Sequence, residues 1–160
     1  MPIPLKVSLP SDTQIQIDRA FDAPAELVFR AWFEPALVRR WLLGPPGWAM
    51  PTCEIDGRVG GAYRFVWSHA DGRTMAMGGV YREIDRPTHW LATERFDEAW
   101  YEGEALVRSD LAEVGGKTVH TMLITYETKA GRDMALQSGM SDGMEAGYQR
   151  LDAILAEETV

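Results

Sequence analysis

Between Thr13 and Ala20 the chain alternates, with Ile15 and Ile17 set between Gln14, Gln16 and Asp18. A period of two sends such residues to one face, so a strand with one buried side is expected here. The period then lengthens. Leu27, Val28, Ala31 and Trp32 recur at helical spacing between Ala25 and Phe33, with Asp22 as the expected N-cap, Pro24 near the first turn and Glu26 within it. Pro35 interrupts that run and predicts a second short helix carrying Leu37, Val38 and Trp41. Gly44-Pro45-Pro46-Gly47 ends helical structure there, because two prolines remove donors and the glycines permit turns.

From Pro51 to Lys129 alternation dominates. The expected strands are Thr52 to Asp56, a run opened by Gly60-Gly61, Arg73 to about Asp85, His89 to Phe96, about Glu104 to Glu113, and Thr118 to Lys129. Asp71-Gly72, Arg86-Pro87 and Gly115-Gly116 supply tight turns between them. With the first strand this makes about seven, joined mainly by hairpins, so an antiparallel meander follows. Helical period returns at Arg132 to Glu158, where Leu136, Met140, Met144, Tyr148, Leu151 and Leu155 recur. About 24 helical residues span about 36 Å. Such a helix must cross the whole domain, and the sheet must curve around it. The fold class is therefore α+β, a single domain over residues 13–158 after an N-terminal extension of residues 1–12.

Gly139, Gly143 and Gly147 lie four apart on that last helix and so near one face. Each costs about 0.5–1 kcal/mol relative to Ala in a helix interior. Two readings offset that cost: close approach of helix and sheet, or volume left open for a ligand.

Composition narrows the partners. Of 160 residues, 16 are Lys or Arg and 24 are Asp or Glu, a formal net charge of -8. That balance opposes a phosphate backbone and anionic membranes, so no nucleic acid is expected. No apolar run is long enough to span a membrane and Met1 to Pro10 lacks a signal-peptide pattern, so a cytoplasmic protein without membrane insertion is expected. The single cysteine, Cys53, excludes an internal disulfide framework and a Cys-rich zinc site, and is expected to be a small buried group. The chain is rich in large soft side chains and glycine, with 6 Trp, 8 Met and 15 Gly.

Candidate chemistry is sparse. His69, His89 and His120 fall on three different expected strands, with no His-Glu-x-x-His spacing, and no metal site is expected. His69 is read as exposed beside its turn, and His120 as sharing a face with Met122, Ile124 and Tyr126. Glu94, Asp97, Glu98, Glu102 and Glu104 are interleaved with Phe96, Trp100 and Tyr101. A general acid needs an apolar pocket to raise its pKa, and acids beside aromatics are compatible with that, but Asp97 to Gly103 reads more strongly as a solvated loop. Glu54 and Asp56 share a strand face without further cation ligands. No phosphate-binding glycine loop is present, and no cofactor is expected.

Several stretches carry a family resemblance. They are Phe21-Asp22-Ala23-Pro24-Ala25-Glu26-Leu27-Val28-Phe29-Arg30-Ala31-Trp32, Arg40-Trp41 through Gly44-Pro45, Met50-Pro51-Thr52-Cys53-Glu54-Ile55-Asp56 and Gly60-Gly61-Ala62-Tyr63-Arg64-Phe65. Gly79-Val80-Tyr81-Arg82-Glu83-Ile84 with Pro87, then Ser138-Gly139-Met140, Gly143-Met144 and Tyr148-Gln149-Arg150-Leu151, extend it toward the C-terminus. In these the chain resembles SRPBCC-superfamily proteins of the START-like type, in particular homologues of the activator of the 90-kDa heat-shock chaperone's ATPase. The resemblance implies the helix-grip fold of START domains and the birch-pollen allergen group. Function stays open, because this superfamily hosts transfer proteins, cyclases and ligand sensors.

On that fold the face shared by Tyr63, Phe65 and Trp67, and that shared by Met75, Met77 and Tyr81, would line an apolar cavity of about 300–1,000 Å³. Met122, Met140, Gly143, Met144 and Gly147 would close it, with Trp41 and Trp48 at its mouth. The expected activity is binding of a small hydrophobic or aromatic molecule. A cyclase- or hydrolase-like enzyme in the same cavity, and a chaperone-interaction or dimerisation module with a possible homodimer, are the alternatives.

Overall fold

The computed structural model describes residues 4–98 and 103–158. Eight strands form one sheet: β1 (Lys6–Ser8), β2 (Gln14–Phe21), β3 (Trp48–Ile55), β4 (Ala62–His69), β5 (Thr74–Asp85), β6 (His89–Phe96), β7 (Ala105–Val114) and β8 (Lys117–Thr125). Helices α1 (Ala25–Phe33) and α2 (Pro35–Trp41) follow β2, and α3 (Lys129–Gln137) and α4 (Met140–Glu158) close the chain. The strand order is β1-β2-β8-β7-β6-β5-β4-β3. Among the described residues every pairing is antiparallel, and β2 beside β8 joins strands distant in sequence. The expected α+β meander with a long terminal helix is what forms.

Four local expectations change. Residues 6–8, inside the stretch read as an extension, form an eighth strand on the edge beside β2. β3 begins at Trp48 rather than Thr52, with an irregularity between Ala49 and Thr52. Pro51 sits in that irregularity on an edge strand, where a missing N–H breaks no ladder. β8 stops at Thr125, and Thr128 caps α3 by accepting from the Gly131 N–H at 2.9 Å. Asp22 does not cap α1. Instead Glu113 of β7 accepts from the Ala25 N–H at 2.7 Å, holding the helix start to the sheet.

The terminal helix is also not continuous. Gly139 takes φ +79°, a left-handed conformation that ends α3 and lets α4 start in a new direction. α4 has 19 residues and spans about 28 Å rather than 36 Å. The three glycines consequently do three different things. Gly139 breaks the helix, while a Cβ on Gly147 would lie 2.8 Å from the Trp41 carbonyl oxygen, so that glycine permits close packing of α4 on α2. A Cβ on Gly143 would meet nothing closer than Pro45 Cδ at 3.6 Å, so space remains there.

Candidate functional site

Alternate residues of the strands meet on the inner face, which the helices partly cover. Ile15, Ile17, Arg19 and Phe21 of β2 stand opposite Ile124, Met122, His120 and Thr118 of β8. Across β7 and β6 the face continues through Val107, Ser109 and Leu111 to Trp90, Ala92 and Glu94. It ends in Met77 and Tyr81 of β5, Tyr63, Phe65 and Trp67 of β4, and Cys53 of β3.

One end of this face is sealed. The Arg19 side chain is fully buried, and its guanidinium donates to both oxygens of Glu145 (3.1 Å each) and of Asp152 (3.0 and 2.8 Å) on α4. A fifth donation at 2.8 Å reaches the Ala20 carbonyl, so all five donors are used. Although burial alone would lower its pKa, hydrogen bonds to Asp152 and Glu145 raise it, so Arg19 stays charged. The guanidinium also lies 5.0 Å from the Phe21 ring centroid. Phe21, Trp32, Trp41 and Tyr148 then pack ring on ring at centroid distances of 4.6–6.1 Å.

Between this seal and α4 lies a pocket of about 50 Å³ lined by Trp32, Trp41, Leu42, Gly44, Met122, Gly143, Met144, Gly147 and Tyr148. Helical spacing puts Gly143, Met144, Gly147 and Tyr148 on one side of α4. The Tyr148 hydroxyl is buried and has no hydrogen-bond partner among the described residues, and burial pushes its pKa up. The pocket is smaller than the expected 300–1,000 Å³, because Trp41 is core and Tyr148 fills the space beneath α4. Sequence reasoning passed over Trp32, Leu42, Gly44 and Tyr148.

A family model described as "Activator of Hsp90 ATPase homolog 1-like protein" matches residues 22–156. The chain belongs to that family. A solved protein from Rhodobacter sphaeroides is 33% identical, with a TM-score of 0.91 over 97% of this chain and 99% of its own. A Nitrosomonas europaea protein at 20% identity and TM-score 0.82 covers 94% of this chain and 99% of that one, and shares the fold. An AHSA1 protein from Silicibacter pomeroyi, at 20% identity and TM-score 0.73 over 91% and 99%, does likewise. No curated protein matches the sequence.

Within this family member the remaining candidates divide. Tyr63, Phe65, Trp67 and Tyr81 are buried on the inner face as their alternation implied. The Tyr63 hydroxyl donates to the Thr93 carbonyl at 2.6 Å, and Trp67 Nε1 to the Leu42 carbonyl at 2.7 Å, which ties β4 to the end of α2. Met75 is 37% exposed at the start of β5, so it stands at the rim and not inside. Trp48 packs on His69 and beneath Arg73 on the edge of the sheet, outside the α4 pocket. Met77, Met122, Met140 and Met144 are half-buried against the core. None of Tyr63, Phe65, Trp67, Met75, Met77, Tyr81 and Met140 lines the α4 pocket.

The histidines have structural partners. His69, expected to be exposed, is half-buried with Nδ1 3.0 Å from Asp71. His89 bridges Glu83 at 2.8 Å and Asp110 at 2.9 Å. His120 shares the face of Met122 and Ile124 as expected, with Nε2 2.9 Å from the Ser109 hydroxyl. This pair has the look of a nucleophile and base, yet both residues are sealed from solvent. Burial drives the His120 pKa down to about 3, against weak raising by Asp110 and Asp18. Its Nδ1 finds no orienting partner among the described residues, so the pair lacks the third group that nucleophilic catalysis needs.

Cys53 is buried and free, and burial raises its thiol pKa, which opposes thiolate chemistry. Asp56 pairs with Arg58 at 3.0 Å and is not part of a cation site. Trp100, Tyr101 and Glu102 lie outside the described residues. Among the described residues no cluster of three His, Cys, Asp or Glu side chains is placed to hold a metal, and no helix is long and apolar enough to cross a membrane.

Proposed function

We propose that the protein binds a small, mostly apolar or aromatic molecule on the inner face between sheet and α4. The observation that supports this most is that Met77, Phe96, Met122, Met140 and Met144 pack against the core and yet are only half-buried. Apolar area left in water forgoes about 25 cal/mol per Å², which a bound molecule recovers. Methionine suits such a surface, since its unbranched thioether reshapes around different contacts. The pocket beneath α4 forms one corner, where Met122 and Met144 can rearrange around a ring and the Tyr148 hydroxyl can pair with an acceptor. Cys53, alone and buried, suits a reducing cytoplasm, where we place the protein.

The test is native mass spectrometry of protein purified from its own host, followed by thermal-shift screening with aromatic and lipid-like compounds. A ligand that binds the folded state raises the melting temperature. Gly143→Leu, whose side chain enters the open space beside Pro45, should weaken that binding while the fold survives. If nothing co-purifies and no compound raises the melting temperature, the proposal is wrong.

A further inference from the structure

Tyr148 forms part of the wall of the pocket beneath α4, and its side chain is 1% exposed. Its hydroxyl has no hydrogen-bond partner among the described residues. Such a group needs one, because burying a donor without an acceptor forfeits the hydrogen bonds that water gave it. The surroundings explain why none is met. Phe21, Trp32 and Trp41 present rings to it at centroid distances of 5.4–6.1 Å. The Arg19 guanidinium lies 5.8 Å from the Tyr148 ring centroid, but it has no acceptor to offer. Polar groups of the adjoining wall are already committed. Trp41 Nε1 donates to the Ala31 carbonyl at 2.9 Å, the Trp41 carbonyl accepts from the Leu43 N–H at 2.8 Å, and the Leu42 carbonyl accepts from Trp67 Nε1 at 2.7 Å.

A partner must therefore arrive through the pocket. Met122 and Met144 are its movable walls, half-buried and unbranched, so they can turn aside and uncover the hydroxyl. At about 50 Å³ the pocket admits only the head of a molecule, whose body would lie on the half-buried Trp32 and the two methionines. Charge then sorts the candidate heads. Burial keeps the Tyr148 hydroxyl protonated, so it is a donor and calls for an acceptor. That acceptor should be neutral. All five Arg19 donors are taken, and its single positive charge stands against the two carboxylates of Glu145 and Asp152, so an anion gains no cation there. A ketone oxygen meets both conditions, whereas a hydrocarbon fails the first and a carboxylate the second.

We infer that the pocket beneath α4 selects a small neutral aromatic ketone, held by a hydrogen bond from the Tyr148 hydroxyl to its carbonyl oxygen. This rests on the apolar-ligand reading above and names the polar group that such a ligand carries. A pocket built around one unpaired donor discriminates against analogues without the acceptor, because they leave that donor buried and unmet.

The probes are acetophenone, its hydrocarbon counterpart ethylbenzene and the anion benzoate, titrated into the full chain at about pH 7 and followed by amide NMR shifts. Acetophenone should bind at least about tenfold tighter than either of the others. Tyr148→Phe, which removes the hydroxyl and keeps the ring, should abolish the preference for the ketone while ethylbenzene binding changes less than about twofold. Two readouts do not depend on affinity. Without ligand, Tyr148→Phe should melt no lower than wild type, since it deletes only an unpaired group. The carbonyl stretch of isotope-labelled acetophenone should lie at lower frequency on wild type than on Tyr148→Phe. A lower melting temperature for Tyr148→Phe shows that the hydroxyl already has a partner and overturns the inference. Equal binding of ketone and hydrocarbon, tighter binding of benzoate, a ketone preference that survives Tyr148→Phe, or an unchanged carbonyl stretch does the same, and each leaves the apolar-ligand reading standing. If no probe binds, the inference falls, and failure of the wider screen as well removes the apolar-ligand reading.

Discussion

The two ends of the inner face are built on opposite principles. Where β2 and β8 meet α4, every polar demand of Arg19 is met and its surroundings are filled by Phe21, Trp32, Trp41 and Tyr148. Where β4, β5 and β6 meet, Met77, Phe96 and Glu94 remain in partial contact with water, and Glu94 has no partner among the described residues. One sequence thus places a paired charge at one end of a sheet and an unpaired one at the other. A buried charge at the sealed end is paired twice over, so it serves structure. At the open end Glu94 is half-buried, so its carboxylate relies on water and burial raises its pKa to about 7.

The largest effect should come from the sealed end. Arg19→Met leaves the Glu145 and Asp152 carboxylates without their cation, and breaking such a partly buried network costs about 3–5 kcal/mol. A shift in the urea midpoint reads this directly. A loss below about 1 kcal/mol would show that α4 is held by its apolar side alone. Next comes His120, whose pKa is about 3 in the fold against 6.5 unperturbed. A depressed pKa gives stability that is present above the unfolded value and lost as pH falls from about 6.5 toward 3, here on the order of 2–4 kcal/mol. The imidazole should accordingly stay neutral by NMR at about pH 5 in folded protein, and an imidazolium signal there with the fold intact would refute the sealed reading.

How much of this contrast the sequence carried differs between the two ends. Alternation of Tyr63, Phe65 and Trp67 set the inner face correctly, because a strand's period of two leaves no freedom once one face is buried. The Arg19 clamp was invisible, since its partners lie 126 and 133 residues away and no local pattern announces them. Gly139 reads as an interior glycine within a helical period, and only its positive φ shows a break. β1 has three residues, too few for a period to register. Met75 shares the parity of Met77, yet exposure depends on where the covering helices stop, which alternation does not encode. Glu94 stood out only as an acid among aromatics. That no cation pairs with it among the described residues depends on three-dimensional placement, which no local pattern encodes.

The next two changes separate the ends. Gly147→Ala forces a methyl against the Trp41 carbonyl, a backbone atom that cannot step aside, and should cost about 1–3 kcal/mol in thermal or urea unfolding. A neutral result would mean that α4 can slide on α2. At the open end, Glu94 has a raised pKa of about 7 against 4.5 unperturbed, so its sign is opposite to that of His120. The stability it allows is present below about pH 4.5 and lost as pH rises through about 7. Discounted for its contact with water, the loss is about 1–2 kcal/mol. Glu94→Gln should therefore be more stable than wild type above about pH 7 and nearly equal to it near pH 4.5. Parallel pH profiles for the two proteins would mean that the carboxyl is fully solvated.

The smallest effect is the sharpest on the boundary between the two regions. Gly143 sits one turn from Gly147 on α4, but a methyl there meets only Pro45 Cδ at 3.6 Å and Gly44 Cα at 3.9 Å, both ordinary contacts. With no clash to oppose it, Gly143→Ala should gain about 0.5–1 kcal/mol from helix propensity alone, seen as a raised melting temperature. Its neighbour loses stability for the same chemical change, so the pair measures where close packing of α4 gives way to open space. If Gly143→Ala destabilised the protein as Gly147→Ala does, α4 would be packed tightly along its whole length. The pocket beneath it would then offer no room for a ligand.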